Sequence, residues 1–510
     1  MSLKSIFNSK TIKVSLIAAF ASRFVGAIIG IVAVPFYIKL IGIESYGLIG
    51  LFASLQVIVS IFDFGLGQTI IREFGKNSNN PTAFQSLSDL AKACEIIYLG
   101  LSIIICALLL ISIPWIVDNW INLSDLNPAD VKKSLYIGVF SLSIQWPATL
   151  YSAGLIGLQK QVALAMLSTT IIMLRVLSTL MALYLVAPTI ETFFTVSLVA
   201  SLVQVISLRL LMWHQLPKAN HWNYCKVRLL ELKGFIGVMS AITLCSILLT
   251  QLDKLILSNI LSLKDFGIYS LVGALAGGIY VTVSPVFSVI YPKLSALIQD
   301  KKNENILAFY HKSAQLLSFI LIPVAVTTIF FSENILLAWT GDLSLSKMAE
   351  LPLVFLVIGN VLNGMMNVPY ALQLAYGKPK LALLNNVAAI SFLLPSIYYL
   401  AATYGVSGGA FAWLILNILY VVVSQYVTHR KLLNADLLKW YWVDVGMPFI
   451  VCTIVAYLFY LVMPLNMSRL NTALFLGIAF FTALVAALFS LPEMRQVVVN
   501  TLKGYKLSKQ

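Results

Sequence analysis

The sequence predicts an all-α, polytopic membrane protein of 14 transmembrane helices, arranged as two six-helix lobes plus two C-terminal helices. Three observations predict it. The 510 residues are 60% hydrophobic and only 11% charged, whereas a soluble domain carries about a quarter charged residues. Apolar runs of about twenty residues recur from end to end, each long enough to cross a hydrocarbon core of about 30 Å as a helix. Finally, two separate motifs repeat at one offset. The alternating ten-residue segments of a β-barrel are absent from the sequence.

The first apolar run follows Lys4, Lys10 and Lys13 and resembles a secretory signal. It continues for about 27 residues without a small-residue cleavage site, so it reads as a transmembrane helix. The predicted spans are 14–40, 45–71, 93–114, 134–157, 163–186, 190–213, 234–260, 266–291, 308–331, 350–375, 381–403, 407–428, 442–464 and 470–491. Connections between them are short, which excludes an enzyme with a large catalytic ectodomain.

With the N-terminus inside, the inner segments hold 24 of the 34 Lys and Arg residues and the outer segments 6. This asymmetry predicts that both termini are cytoplasmic. It also accounts for the net charge of +14 without a nucleic-acid partner. Trp440, Tyr441 and Trp442 stand where an interfacial aromatic belt belongs. Cys94, Cys106, Cys225, Cys245 and Cys452 have no metal or redox spacing. No phosphate-binding glycine loop, zinc motif or nucleophile elbow is present, so neither a metal nor a cofactor is expected.

The repeat is carried by two anchors. Gly42-Ile43-Glu44-Ser45-Tyr46-Gly47-Leu48 parallels Ser262-Leu263-Lys264-Asp265-Phe266-Gly267-Ile268, and Gly157-Leu158-Gln159-Lys160 parallels Gly377-Lys378-Pro379-Lys380. Both place a glycine 220 residues from its counterpart, and Arg209 then matches His429. Six helices separate the copies, so both point the same way, and the axis relating them runs along the membrane normal. The lobes expected are 1–213 and 234–430, with 440–510 forming two extra helices and a basic cytoplasmic tail.

Ionisable side chains within hydrocarbon cost at least about 2.5–3.5 kcal/mol and usually face water or a partner. Five lie well inside the spans: Arg23, Asp63, Arg175, Asp253 and Lys254. Arg23 and Asp63 share an inner depth and are expected to pair, either as a static ion pair or as part of a coupling site. Lys254, in the outer third, either lines the path or else reaches outward along its stem or pairs locally. Arg175, central and with no carboxylate at its depth, is expected to line a cavity. Two polar stripes join them. Asn360, Asn363, Asn367, Tyr370 and Gln373 fall on one face of span 10, and Ser141, Gln145, Thr149 and Ser152 on one face of span 4. They read as either a wet path for hydroxyl-rich cargo or interhelical hydrogen bonding.

Gly42-x-x-x-Tyr46-Gly47-Leu48, followed by Asp63-Phe64-Gly65-Leu66-Gly67 and Ile71-Arg72, resembles the opening of the polysaccharide biosynthesis protein family. These are Wzx-type oligosaccharide flippases of the multidrug/oligosaccharidyl-lipid/polysaccharide exporter superfamily. Gly154-Leu155-Ile156-Gly157-Leu158-Gln159-Lys160 and Gln251-Leu252-Asp253-Lys254 are similar to further family positions.

The resemblance implies a V-shaped pair of lobes with alternating access. The cargo it implies is an oligosaccharide on undecaprenyl pyrophosphate, such as an O-antigen repeat unit of lipopolysaccharide, moved from the inner to the outer leaflet of a bacterial plasma membrane. The partners implied are that lipid-linked oligosaccharide, membrane lipids and other polysaccharide assembly proteins. The family's cationic cavity maps to Arg23, Arg175 and Lys254, and Arg72, Asp253, Gln145 and Gln251 join the candidate substrate contacts. Fourteen helices depart from the commonest twelve-helix Wzx pattern and are shared with the lipid II flippase branch. Coupling to H+ or Na+ stays open. The rivals are a cation-coupled multidrug exporter, which favours luminal carboxylates, and a glycan polymerase or ligase, which needs a large outer loop.

Overall fold

In a computed structural model, the described residues are 10–77, 84–217, 250–299, 303–433, 437–464 and 467–496, with isolated positions between 240 and 248. The start of predicted span 7, Lys4, Cys225 and the basic tail beyond 496 lie outside them. The described residues are almost all helical, and among them ten helices are long and apolar enough to cross a membrane. It is a multi-pass membrane protein.

Some of these helices exceed one crossing. Phe20–Asp63 runs 44 residues, about 65 Å at 1.5 Å per residue. The helix α1 (Lys10–Val59) accordingly breaks at Gly42, whose φ of 80° places it outside helical space. The same device, Gly405 with φ of 59°, divides α13 (Pro379–Thr428). Both breaks fall in the gaps predicted between spans 1 and 2 and between spans 11 and 12. Glycine alone takes this backbone geometry cheaply.

The chain divides into two units, Met1–Gly267 and Ile268–Gln510. In the first, α2 (Leu66–Asn77), α3 (Phe84–Trp115), α4 (Pro128–Gln145), α5 (Ala148–Gly157), α6 (Gln161–Leu185) and α7 (Ile190–Trp213) follow α1. The core is built from Phe74, Tyr98, Leu150, Tyr151, Leu155 and Met212, all fully buried. On α3, Ile113 is 1% exposed while Ile111 is 77% exposed, and both are isoleucine. In a bilayer the outward face is as apolar as the inward one, so close packing and interhelical hydrogen bonds decide which face is buried. Ser22 on α1 shows this, donating to the Ala165 carbonyl (3.1 Å) and accepting from Thr169 (2.7 Å) on α6.

Two predicted spans are interrupted. Span 2 leaves the helix at Ser60–Asp63, a 3₁₀ turn followed by Phe64 with φ of 46°. Span 4 breaks between Gln145 and Ala148 at Trp146-Pro147, where proline removes a backbone donor.

The first unit also contains a reciprocal contact. A Cβ on Gly47 would collide with the Leu263 carbonyl, and a Cβ on Gly267 would collide with the Ile43 carbonyl. Residue 43 stands to 263 as 47 stands to 267: both pairs differ by the sequence offset of 220. Each glycine thus meets backbone four residues before the other glycine, where a side chain at either would be blocked.

The second unit contains most of α8 (Leu263–Gly277), then α9 (Tyr280–Gln299), α10 (Asn303–Thr340), α11 (Leu343–Met365), α12 (Asn367–Ala375), α13, α14 (Met447–Leu461) and α15 (Arg469–Ser490). The last two pack on α10. Arg469 fastens α15 by donating to the Ala338 and Trp339 carbonyls at the end of α10 (3.1 and 2.9 Å), groups that a helix terminus leaves without internal partners.

Candidate substrate site

Arg175 lies in α6, half-buried, inside an apolar span. Its guanidinium donates to Gln204 Oε1 at 2.9 Å and reaches Ser201 Oγ at 3.5 Å, both on α7. Gln145 Nε2 also donates to Gln204 Oε1 (3.3 Å), and Ser201 donates to Gln145 Oε1 (3.2 Å). Ser141 closes the network on Ser201 at 3.0 Å. Every member is uncharged except Arg175, and no ion pair among the described residues includes it. Gln204 holds the guanidinium in place but leaves its full positive charge unneutralised.

Lys254 repeats the pattern. Residues 250–260 are helical, and Lys254 Nζ donates to Gln251 Oε1 one turn away at 3.3 Å. Arg175 and Lys254 thus each rest on a glutamine carbonyl. Asp253 is 8% exposed and Gln251 7%.

The expected Arg23–Asp63 pair does not form. Asp63 Oδ1 accepts from the Tyr98 hydroxyl, and Oδ2 accepts from Gly67 N at 3.2 Å. Arg23 lies exposed on α1. Depth along two helices was shared, but depth does not fix the direction in which each side chain leaves its axis. The break at Phe64 turns Asp63 back over the first turn of α2, where a carboxylate satisfies an orphan amide. Arg72 is exposed on α2.

The polar stripe of span 10 is divided by the break at Met366. Asn360 Oδ1 accepts from Trp413 Nε1 (2.8 Å), and Asn363 Oδ1 accepts from Tyr280 (3.1 Å). Asn363 Nδ2 donates to Asn417 Oδ1 (3.0 Å). Asn367 caps the end of α11 by donating to the Gly364 carbonyl (2.9 Å). Tyr370 stacks on Phe287, ring centroids 5.7 Å apart. Gln373 donates to Thr428 at 2.9 Å. These groups join neighbouring helices. On α5, Thr149 turns back to the Trp146 carbonyl (2.8 Å).

Two clusters were not anticipated. Buried Glu95 on α3 accepts through Oε1 from Arg209 Nε (2.7 Å), Tyr151 (2.9 Å) and Trp213 (3.3 Å), and through Oε2 from Lys92 (2.8 Å). Fully buried Asp444 meets His311 Nδ1 at 2.5 Å and accepts from Gln315 Nε2 at 2.9 Å, while Gln315 Oε1 takes Glu493 N at 2.9 Å. Glu95 begins the apolar run of α3, and Asp444 follows the aromatic belt. Both are carboxylates at span edges, and that was the available signal.

Residues 38–343 match the sequence signature described as "Polysaccharide biosynthesis protein". The chain belongs to this family. A Shigella flexneri protein described as "Putative O-antigen transporter" is 24% identical over 426 residues, covering 79% of this chain and 95% of that one. Among solved structures, lipid II flippase MurJ in an inward closed conformation superposes with a TM-score of 0.68 at 16% identity, covering 93% of this chain and 98% of that one. An inward-facing multidrug resistance MATE family transporter of the MOP superfamily gives 0.61 at 12% identity, covering 82% and 98%. At these identities the superpositions establish the fold alone, which this chain shares with both structures.

Proposed function

We propose that this protein is a flippase for polyprenyl-pyrophosphate-linked oligosaccharide, an O-antigen or related surface-polysaccharide unit, carried from the inner to the outer leaflet of the bacterial plasma membrane. Family membership and the O-antigen transporter relative support the cargo class. The two-lobe plan follows from the repeat: fourteen helices, lobes 1–213 and 234–430 exchanging inward and outward openings, and both termini cytoplasmic.

The observation that carries the reading is Arg175, a cation within an apolar span held only by neutral groups. A pyrophosphate cannot enter hydrocarbon without charge compensation, and a planar guanidinium matches its oxygens as a fork. Lys254 and Arg23 provide further cations at outer and inner depths. Partners at several depths let the anion be passed on, because conduction requires binding that also releases. The polyprenyl tail stays in lipid, and the sugar meets the amides and hydroxyls around Gln145. Three intramembrane cations against two carboxylates weigh mildly against a cationic drug as cargo.

The test is complementation of an export-deficient strain. Arg175→Ala abolishes surface glycan at normal membrane levels, and Arg175→Lys restores part of it. Full export by well-expressed Arg175→Ala refutes the reading.

A further inference from the structure

The Glu95 cluster carries an inference independent of Arg175. Lys92 immediately precedes the apolar stretch of α3, and Arg209 stands one turn from the end of α7, so both sit at the depth of a membrane–water boundary. Each cation is tied to a different oxygen of one buried carboxylate, Arg209 through Nε and Lys92 through Nζ. The Arg209 side chain is nevertheless 47% exposed and that of Lys92 44%, against 1% for Glu95. Two cations share one anion, leaving one net positive charge. A guanidinium has five N–H donors and an ammonium three, so most of this donor capacity extends beyond the carboxylate. Tyr151 and Trp213 donate to the same Oε1 as Arg209 and hold the carboxylate, so the cations are displayed in a fixed arrangement, which lowers the ordering cost of binding.

Packing alone does not call for this chemistry. At the offset of 220, Lys92, Glu95 and Arg209 correspond to Lys312, Gln315 and His429. There a neutral glutamine joins the helices, and His429 is buried. The charged version belongs to the first unit only.

We propose that Lys92 and Arg209, positioned by Glu95, form a second anion site at the membrane boundary of the first unit, and that it takes a lipid-borne phosphate or pyrophosphate group. Its two sources are an anionic phospholipid headgroup and the pyrophosphate of a prenyl-linked lipid.

The experiment uses the full chain in phosphatidylcholine nanodiscs on an Arg175→Gln background, which removes the site proposed above. Failure here therefore leaves the export reading standing. Farnesyl pyrophosphate is titrated while tryptophan fluorescence is followed, with Trp213→Phe identifying the reporter. Saturable binding is expected. Glu95→Gln combined with Arg209→Gln leaves no isolated buried charge and weakens it roughly tenfold or more. Arg209→Lys retains most of it. In a second arm, phosphatidylglycerol replaces phosphatidylcholine. Competition with farnesyl pyrophosphate assigns the site to any lipid phosphate, and its absence assigns it to the pyrophosphate. Unchanged affinity in the double variant, or no response to either lipid, overturns the proposal and leaves the cluster as a helix clamp.

Discussion

Lys92, Glu95 and Arg209 in the first unit, and Lys312, Gln315 and His429 in the second, stand 220 positions apart in sequence, yet their surroundings differ. In the first unit the central residue is a carboxylate whose cations remain about half exposed. In the second it is an amide engaged on both ends, donating to Asp444 and accepting from Glu493 N. That engagement fastens α10 to the segment that enters α14 and to the segment that follows α15. The middle of the units differs in the same sense: Arg175 in a neutral network in one, a closed set of asparagines with Trp413 and Tyr280 in the other. Charge stays accessible around Glu95 in the first unit and is used for internal fastening around Asp444 in the second.

This contrast can be broken at its buried end first. Asp444 is fully buried with His311 and Gln315 against it. Asp444→Ala leaves His311 Nδ1 and Gln315 Nε2 without their acceptor and is expected to destabilise the protein by about 2–6 kcal/mol, at about 1–3 kcal/mol for each buried group left unsatisfied. Thermal unfolding in detergent reads this as a large fall in Tm, and Asp444→Asn, which keeps an acceptor, recovers part of it. Glu95→Ala should cost less, about 1–3 kcal/mol, because Arg209 and Lys92 can turn to water or headgroups, leaving only Tyr151 and Trp213 short of an acceptor. If Glu95→Ala proves the more damaging of the two, the first unit's cluster is the fastener and the comparison is reversed.

Much of the fold was legible because hydrocarbon thickness dictates helix length and leaves its mark in apolar runs. The turns at Gly42 and Gly405 fell where spans 1 and 11 were expected to end. The offset of 220, read from glycines, reappears as the reciprocal packing of Gly47 and Gly267. The break at Asp63–Phe64 was not legible, because Phe64 adopts a left-handed conformation that its residue type does not announce. For the site, Arg175 and Gln145 could be named from depth and helical spacing, but Ser201 and Gln204 could not, since spacing within one helix does not reveal which helix it faces. The same limit produced the mistaken pairing of Arg23 with Asp63. His311 and Asp444 are 133 positions apart, and only packing of α10 against the C-terminal helices brings them together.

The central claim is that the unneutralised charge of Arg175, rather than its bulk, carries the cargo. It is tested most directly by reconstituting the wild-type, Arg175→Lys and Arg175→Met proteins at equal density in liposomes. The quantity measured is the rate at which a polyprenyl-pyrophosphate-linked oligosaccharide becomes accessible to a glycan-modifying enzyme on the opposite leaflet. Charge-assisted hydrogen bonds are worth about 1.5–3 kcal/mol, so Arg175→Met should slow flipping roughly tenfold to a hundredfold, with Arg175→Lys in between. Equal rates for Arg175→Met and wild type would contradict the account.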